Sequence, residues 1–330
     1  MKKIISISLA LMLLLGILAV PAMAEEKQTA KIGLLAMLNV DEAKMKDILT
    51  ARKILMTMAR EQSNVTSTKP VSETEREMEP VFYDSLDHML MALNAGDIER
   101  MEIYKTTAGY LCANNSELTY GNHDQLDKST KAADLLFRGI LANDFSFLLM
   151  EDQEALREEL NAAIAAIKED GTMEKLTAEY IDGVIGGKEI VPIEIVKIDG
   201  ADTIRLGITG DLPPMDYIAP DGTPAGFNTA LMAEISKRIG KNIELVQMAS
   251  AARSSALASG TVDVVFWTRT SSFAKQFISD SEGKEPKSEI IKEALDLIKP
   301  EEFMTADIPE RTISTDPYFS DELVIVSKKD

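Results

Sequence analysis

The stretch from Thr203 to Thr270 constrains this chain more than any other. Thr203–Thr209 alternates apolar and polar residues as a short strand does, and Gly210–Asp211 and Pro213–Pro214 stop it. Asp221–Gly222 marks a tight turn. Asn228 is placed to cap a helix running to about Arg238, with Leu231, Ile235 and Ile239 at helical spacing, and Gly240 ends it. Ile243–Gln247 is a second strand, Ser250–Ala258 a second helix and Val262–Trp267 a third strand. A β-α-β-α-β order implies a parallel sheet with right-handed crossovers. Ligands of such sheets sit at the carboxyl ends of the strands. Those ends are Gly210–Tyr217 and Thr268–Ser272.

Four groups of residues in this stretch carry a family likeness: Pro213-Pro214-Met215-Asp216-Tyr217, Asp221-Gly222, Gly226-Phe227-Asn228 and Leu257…Gly260…Val262-Asp263. In this order they resemble the first lobe of the family 3 extracellular solute-binding proteins, the receptors of polar amino acid ABC importers. The resemblance implies an α/β fold like the periplasmic-binding-protein type II fold, with two lobes joined by two hinge strands.

The start of the chain points to export. Lys2 and Lys3 precede an apolar run from Ile4 to Val20, and Ala22-Met23-Ala24 is a small-x-small cleavage pattern. Met1–Ala24 is therefore expected to be a secretory signal peptide, with an uncleaved anchor as the alternative. No cysteine follows the cleavage point, so a lipid anchor there is not expected. The destination would be periplasmic or extracellular. About 300 residues remain, enough for one two-lobed receptor or two small domains.

The first half supplies the parts of a second lobe. Lys31–Leu38 has a strand pattern, Asp41–Arg60 an amphipathic helix pattern, and Glu61–Pro80 the composition of a solvated loop. A strand at Val81, a helix from about Ser85 to Asn94, a stop at Gly96 and a strand over Arg100–Tyr104 follow. Ala92-Leu93…Gly96…Ile98-Glu99 repeats Ala256-Leu257…Gly260…Val262-Asp263 at constant offset, the mark of one shared helix-to-strand turn. Asn143–Met150 is another strand. Glu151–Ile181 gives two helices broken at Asp170-Gly171, and its Asn161-Ala162-Ala163-Ile164 and Asp170-Gly171-Thr172 resemble the family's closing helices. In the family those helices end the chain, after the second lobe. Here they precede the first-lobe-like part. Tyr318–Asp330 resembles the outbound hinge strand and Asp144–Met150 the return strand.

The expected organisation is thus a signal peptide (1–24), a second-lobe-like segment (31–150), closing helices packing on the first lobe (151–181), a linker (182–202) and a first-lobe-like segment ending in a hinge strand (203–330). This is a circularly permuted order. Its rival is a pair of eroded tandem receptors. Glu61–Pro80 and Phe273–Glu310 have no counterpart in the resemblance.

The resemblance also implies ligand-binding residues. The family's hydroxyl pair after the third strand matches Thr268 and Thr270, and its carboxylate-binding Arg falls on Lys275 by count. Arg269 and Arg311 are alternative cations. The stacking residue of the first loop falls near Leu212 and Met215, with Tyr217 close. Trp267 is the one tryptophan, at a strand's carboxyl end, and is read equally as cleft wall or packing. The second lobe departs further. Met37-Leu38-Asn39 stands where the family has a Gly-Thr turn, so Asn39 is the remaining polar candidate. Tyr104 stands where the family has the Asp that pairs with an α-ammonium. Glu102, on the same strand face, is a possible substitute. Thr268 and Thr270 would otherwise be strand-end caps, and Lys275 and Glu102 solvated charges.

Other classes are disfavoured. A formal charge of −19 argues against nucleic-acid or anionic-membrane binding. Cys112 is the sole cysteine, so no internal disulfide forms. His88 and His123 show no metal-ligand spacing, and neither a metal nor a cofactor is expected. There is no Gly-x-Ser-x-Gly, phosphate loop or Gly-x-Gly-x-x-Gly, so an enzyme is not expected. A Cys112–His nucleophile and a lyase or dehydratase using Glu102 or Lys275 are minor alternatives. The reading is a monomeric receptor that delivers a small polar solute, an amino acid or a related amine or acid, to an ABC permease. A degenerate module serving as sensor or structural surface protein is the alternative.

Overall fold

Two sheets meet on one shared strand, Phe319–Lys328. The computed structural model describes residues 30–36, 43, 46, 78–121, 142–188, 193–270 and 308–329. The signal-like segment, most of the Asp41–Arg60 helix, His123 and most of both insertions lie outside them.

The first sheet is built from β1 (Ala30–Leu35), β2 (Met78–Tyr83), β3 (Arg100–Tyr104) and β4 (Leu118–Gly121). The expected loop over Glu61–Pro80 is corrected at its end, because Met78–Pro80 already pair with Ala30–Ile32. Helix α1 (Leu86–Ala95) crosses from β2 to β3; Ser85 caps it by accepting the His88 N–H, and Leu86, Met89, Ala92 and Leu93 face the core. Helix α2 (Lys105–Asn114) leaves the end of β3.

The chain then enters β5 (Ala142–Met150) and two helices. Helix α3 (Glu154–Glu169) buries Leu160, Ala163, Ile164 and Ile167, an i, i+3, i+4, i+7 stripe. Gly171 breaks it, and α4 (Thr172–Thr177) continues through a wider turn at Ala178–Asp182 to Gly183–Ile185. The helical segment therefore ends at Ile185 rather than Ile181.

The second sheet opens with β6 (Thr203–Ile208), then a small three-stranded sheet of β7 (Asp211–Leu212), β8 (Asp216–Ile218) and β9 (Pro224–Ala225). Helix α5 (Phe227–Ile239), β10 (Asn242–Gln247), α6 (Arg253–Ala258) and β11 (Val264–Thr270) complete the β-α-β-α-β unit. β6 pairs in parallel with both β10 and β11. Asn228 is not the helix cap: Gly226 holds that position, and Asn228 is buried inside the first turn. β12 (Thr312–Ser314) and β13 (Phe319–Lys328) close the described chain.

The two sheets have the same strand order, β2-β1-β3-β13-β4 and β10-β6-β11-β5-β12. Phe319–Glu322 of β13 pair with β5, and Leu323–Lys328 pair with β3 and β4. One strand thus belongs to both sheets. The result is a mixed α/β fold of two lobes with an antiparallel strand pair at their junction.

The repeated turn is the same object in both lobes. Gly96 N–H donates to the Leu93 carbonyl and Asp97 N–H to Ala92; Gly260 N–H donates to Leu257 and Thr261 N–H to Ala256. Leu93 and Leu257 are buried, as are Ile98 and Val262. Glu99 and Asp263 then enter their sheets by donating to the carbonyls of Lys31 and Arg205. Both glycines are left-handed, at φ 84° and 67°, and a Cβ on either would meet nothing within 4 Å. Their requirement is conformational alone. Gly96→Ala and Gly260→Ala should each cost about 1 kcal/mol. Because the sites sit in separate lobes, the double variant should cost about the sum of the two in urea unfolding.

Candidate functional site

A cavity of about 150 Å³ lies between the lobes, at the carboxyl ends of the parallel strands of both sheets. One wall comes from the end of β1 (Leu35, Ala36), the N-terminus of α1 (Asp84, Ser85) and Tyr104. The junction contributes Asn143 and Phe145 of β5. The opposite wall is Asp211, Leu212, Asp216, Asn228, Ser250, Arg253 and the end of β11 from Phe266 to Arg269.

The charged groups of this wall face one another. The Arg253 Nη1 donates to the Phe266 carbonyl at 2.7 Å and its Nε to the Ser250 carbonyl at 3.2 Å. The guanidinium lies 5.1 Å from the centre of the Trp267 ring. Burial pulls its pKa down, while Asp211, Asp216 and the hydroxyls of Tyr104 and Tyr318 hold it up. Asp216 Oδ2 accepts from the Thr209 N–H at 2.9 Å and its hydroxyl at 3.0 Å. Burial raises the Asp216 carboxyl above the ordinary range against these bonds. Asp211 accepts from the Ser250 hydroxyl at 3.3 Å.

The opposite wall is tied to the junction. Asn143 Nδ2 donates to the Tyr104 hydroxyl at 3.1 Å, and Thr268 also bonds that hydroxyl. Tyr104 packs edge-on against Phe145 at 5.0 Å. Behind it, Asp321 of β13 accepts the Thr106 N–H at 3.0 Å and its hydroxyl at 2.7 Å, at the first turn of α2. Burial pushes the Asp321 carboxyl up to about 6.

Of the residues proposed from sequence, Leu212, Trp267, Thr268, Arg269 and Tyr104 line the cavity. Trp267 does so while packed in a core cluster with Leu148, Leu257, Val262 and Val265. Arg269 Nη1 is bonded to the Ser314 hydroxyl at 2.7 Å. Met215 lies in the main core and Tyr217 in a small cluster with Ala219 and Ala225, so neither is among the cavity's lining residues. Glu102 sits one pleat deeper than Tyr104, buried mid-strand between Leu34 and Ile325. Arg311 faces Glu151 at the surface. Asn39, Lys275 and the side chain of Thr270 lie outside the described residues. Burial raises the Cys112 thiol, the opposite of an activated nucleophile.

Arg253, Asp211, Asp216, Asn228 and Asn143 were not among the candidate site residues read from the sequence. Asp211 and Asp216 sit within the strand-end loop that topology had marked. Arg253 opens the helix after the second strand, which brings it to the same end of the sheet. Among the described residues, no cluster of His, Cys, Asp and Glu has the arrangement to hold a metal ion.

Residues 204–278 match the model of the bacterial extracellular solute-binding proteins, family 3, the segment running from β6 past β11. No curated protein matches the chain. Among solved structures, the chain is similar to the ligand-binding component of an ABC-type import system from Staphylococcus aureus, at 10% identity and a TM-score of 0.38, covering 91% of this chain and 66% of that one. A Bordetella pertussis BvgS VFT2 domain shows 11% identity and a TM-score of 0.37, covering 93% and 82%. The GluR0 ligand-binding core from Nostoc punctiforme, in complex with L-glutamate, shows 9% identity and a TM-score of 0.32, covering 91% and 85%. This chain therefore spans just under two thirds of the S. aureus component.

The Asp321 carboxyl gives a signed pH dependence. Its folded pKa of about 6 lies above its ordinary value of 3.8, so the folded chain holds this proton where the unfolded chain has released it. Its contribution is fully present below about pH 4 and is lost as pH rises through 6, a change of about 3 kcal/mol. Asp321→Asn keeps an acceptor for Thr106 and removes the titration. Urea unfolding from pH 4 to 7 should show the wild type losing about 3 kcal/mol more than this variant.

Proposed function

We propose that the protein is an extracytoplasmic solute receptor. It closes its two lobes on a small polar solute, an amino acid or a related amine or acid, and presents the closed form to an ABC importer. The observation that supports this most is the double wall of the cavity. Tyr104 and Ser85 from one lobe and Arg253 and Thr268 from the other converge on one small space at the carboxyl ends of parallel strands. Such a site is complete when the lobes are together, so binding and closure are coupled. The family match over residues 204–278 covers one wall of that space.

The chain order supports a circularly permuted receptor. We assign β1–β4 and the start of β5 to the second lobe, residues 151–181 to closing helices, 182–202 to a linker, and residues from 203 onward to the first lobe. β13 passes from the first lobe into the second and β5 is the return strand. Arg100 of β3 pairs with Ile32 on one side and Ser327 on the other. The last strand and the first therefore flank one strand, about 10 Å apart. Joining them and opening the linker restores the family's usual order. Met1–Ala24 is proposed as the export signal. Among the described residues no helix is long and apolar enough to cross a membrane.

A thermal-shift screen of the chain lacking residues 1–24 tests the receptor reading, with amino acids, short peptides, polyamines and organic acids as ligands. A ligand that binds the folded state should stabilise it by about 2.7 kcal/mol at a hundredfold excess over its dissociation constant. Thr268→Ala should reduce the shift, because the hydroxyl ties the cavity wall to Tyr104. Silence across the whole panel would overturn the receptor reading in favour of a sensor or structural module that no longer binds.

A further inference from the structure

We propose that Ile193–Ile198 is a self-complementary strand through which two copies of this chain pair in antiparallel, forming a two-fold dimer. Such pairing would stand whether or not the receptor reading holds. The segment reads Ile-Glu-Ile-Val-Lys-Ile, so every residue in it is either β-branched and apolar or charged. It runs without helix, turn or bend and belongs to neither sheet. It is held at both ends. Ile193 packs against the main core. The Ile198 N–H donates to Asn242 Oδ1 at 2.7 Å, and the Ile198 carbonyl accepts from Asn242 Nδ2 at 2.9 Å. Between these anchors Glu194, Ile195, Val196 and Lys197 are exposed, the two apolar ones at 38% each. No N–H or carbonyl from Ile193 to Lys197 has a partner among the described residues. A run of consecutive residues thus presents unpaired backbone to solvent, which is the state of an open edge strand.

The order of side chains points to a second copy as the occupant. With one strand turned end for end beside the other, Ile193 faces the partner's Ile198, Glu194 the partner's Lys197, and Ile195 the partner's Val196. The two-fold axis repeats each pair, so both faces of the ribbon carry apolar pairs and an ion pair. Neither Glu194 nor Lys197 has an ion-pair partner in its own chain among the described residues. A lysine on an open edge ordinarily guards against pairing. Parallel in-register stacking is guarded against here, because it sets Lys197 on Lys197 and Glu194 on Glu194. The antiparallel register joins opposite charges at both positions, which favours a closed pair over an open stack. Gly200, left-handed at φ 76°, turns the chain just beyond the segment. Asn242 opens β10, at the end of its sheet away from the cavity, so pairing leaves the cavity accessible. A ribbon this short buries less than the roughly 1,000 Å² of a stable interface. The dimer is therefore weak and grows with concentration, where the sequence reading expected a monomer.

Sedimentation velocity on the chain lacking residues 1–24, run as a concentration series, reads the pairing. The expected result is a weight-average sedimentation coefficient that climbs from the monomer value toward the dimer value as concentration rises. Lys197→Glu alone, or Glu194→Lys alone, places like charges opposite each other and should hold the chain at the monomer value. The double variant Glu194→Lys/Lys197→Glu exchanges the two charges and should restore the wild-type rise. Both sites are exposed, so the unfolding midpoint of each variant should match the wild type and separate lost pairing from lost fold. A wild type that stays monomeric throughout, a dimer indifferent to the single charge reversals, or single reversals that the double variant fails to rescue would each overturn the assignment. Solute shifts in the thermal screen should be the same for wild type and Lys197→Glu, so the receptor reading is decided separately.

Discussion

The antiparallel pair of β5 and β13 is the constraint on which the rest depends. Phe319–Glu322 of β13 hydrogen-bond to Ala142–Phe145 of β5, and from Leu323 onward the same strand is part of the other sheet. Aromatic rings seal this junction. Phe145 meets Tyr104 at 5.0 Å and Phe319 at 5.9 Å; Phe319 meets Phe227 at 5.3 Å; Tyr318 meets Phe147 at 4.9 Å. The rings come from β3, β5, α5 and the entry to β13, so both lobes are packed against the crossing point. Tyr318 adds a directed bond, its hydroxyl donating to Asn228 Oδ1 at 3.0 Å. Apolar contact of this kind is non-directional, and the strand pair supplies the register.

The cavity inherits its chemistry from that junction. Buried charges are tolerated where each has a partner or a task. Arg253 is held by two carbonyls beside Asp211 and Asp216, and Asp321 accepts two bonds at the first turn of α2. Tyr110 of α2 reaches Tyr217 of β8 at 6.0 Å, a contact between the lobes outside the cavity itself. The polar residues of the cavity are thus placed by strand ends and helix starts of both lobes.

Elements with strong local signals were legible in the sequence. The stop at Gly96, the break at Asp170-Gly171 and the helix–Gly–strand echo rest on φ preferences and short-range periodicity, which act within a few residues. Asn228 shows where local reasoning fails. An Asn ahead of an apolar run is a good cap, but Gly226 takes the cap and Asn228 is drawn inward by Tyr318, which lies 90 residues away in sequence. The small sheet of β7, β8 and β9 was hidden because two-residue strands have no period to read. In the cavity, the strand-end loops could be located from topology, whereas Leu212, Thr268 and Tyr104 were implied by the family resemblance. Arg253 could not, since its role depends on Phe266 and Trp267 on a different strand. Met215 and Tyr217 flank Asp216, and which of three adjacent residues turns toward the cavity is a matter of pleat and packing, not of composition.

The sharing of β13 has a consequence for how the chain is made. It is the last strand described, yet it fills the fourth position of one sheet and borders the other. β1, β2 and β3 leave the ribosome long before the strand that covers their open edge, and Arg100 waits for Ser327 across more than two hundred residues. An exposed edge on a growing or translocating chain is a template for wrong pairing. The late arrival of β13 therefore places the burden on the interval before the chain is finished. A chaperone that holds the early strands apart would cover that edge until Ser327 reaches Arg100.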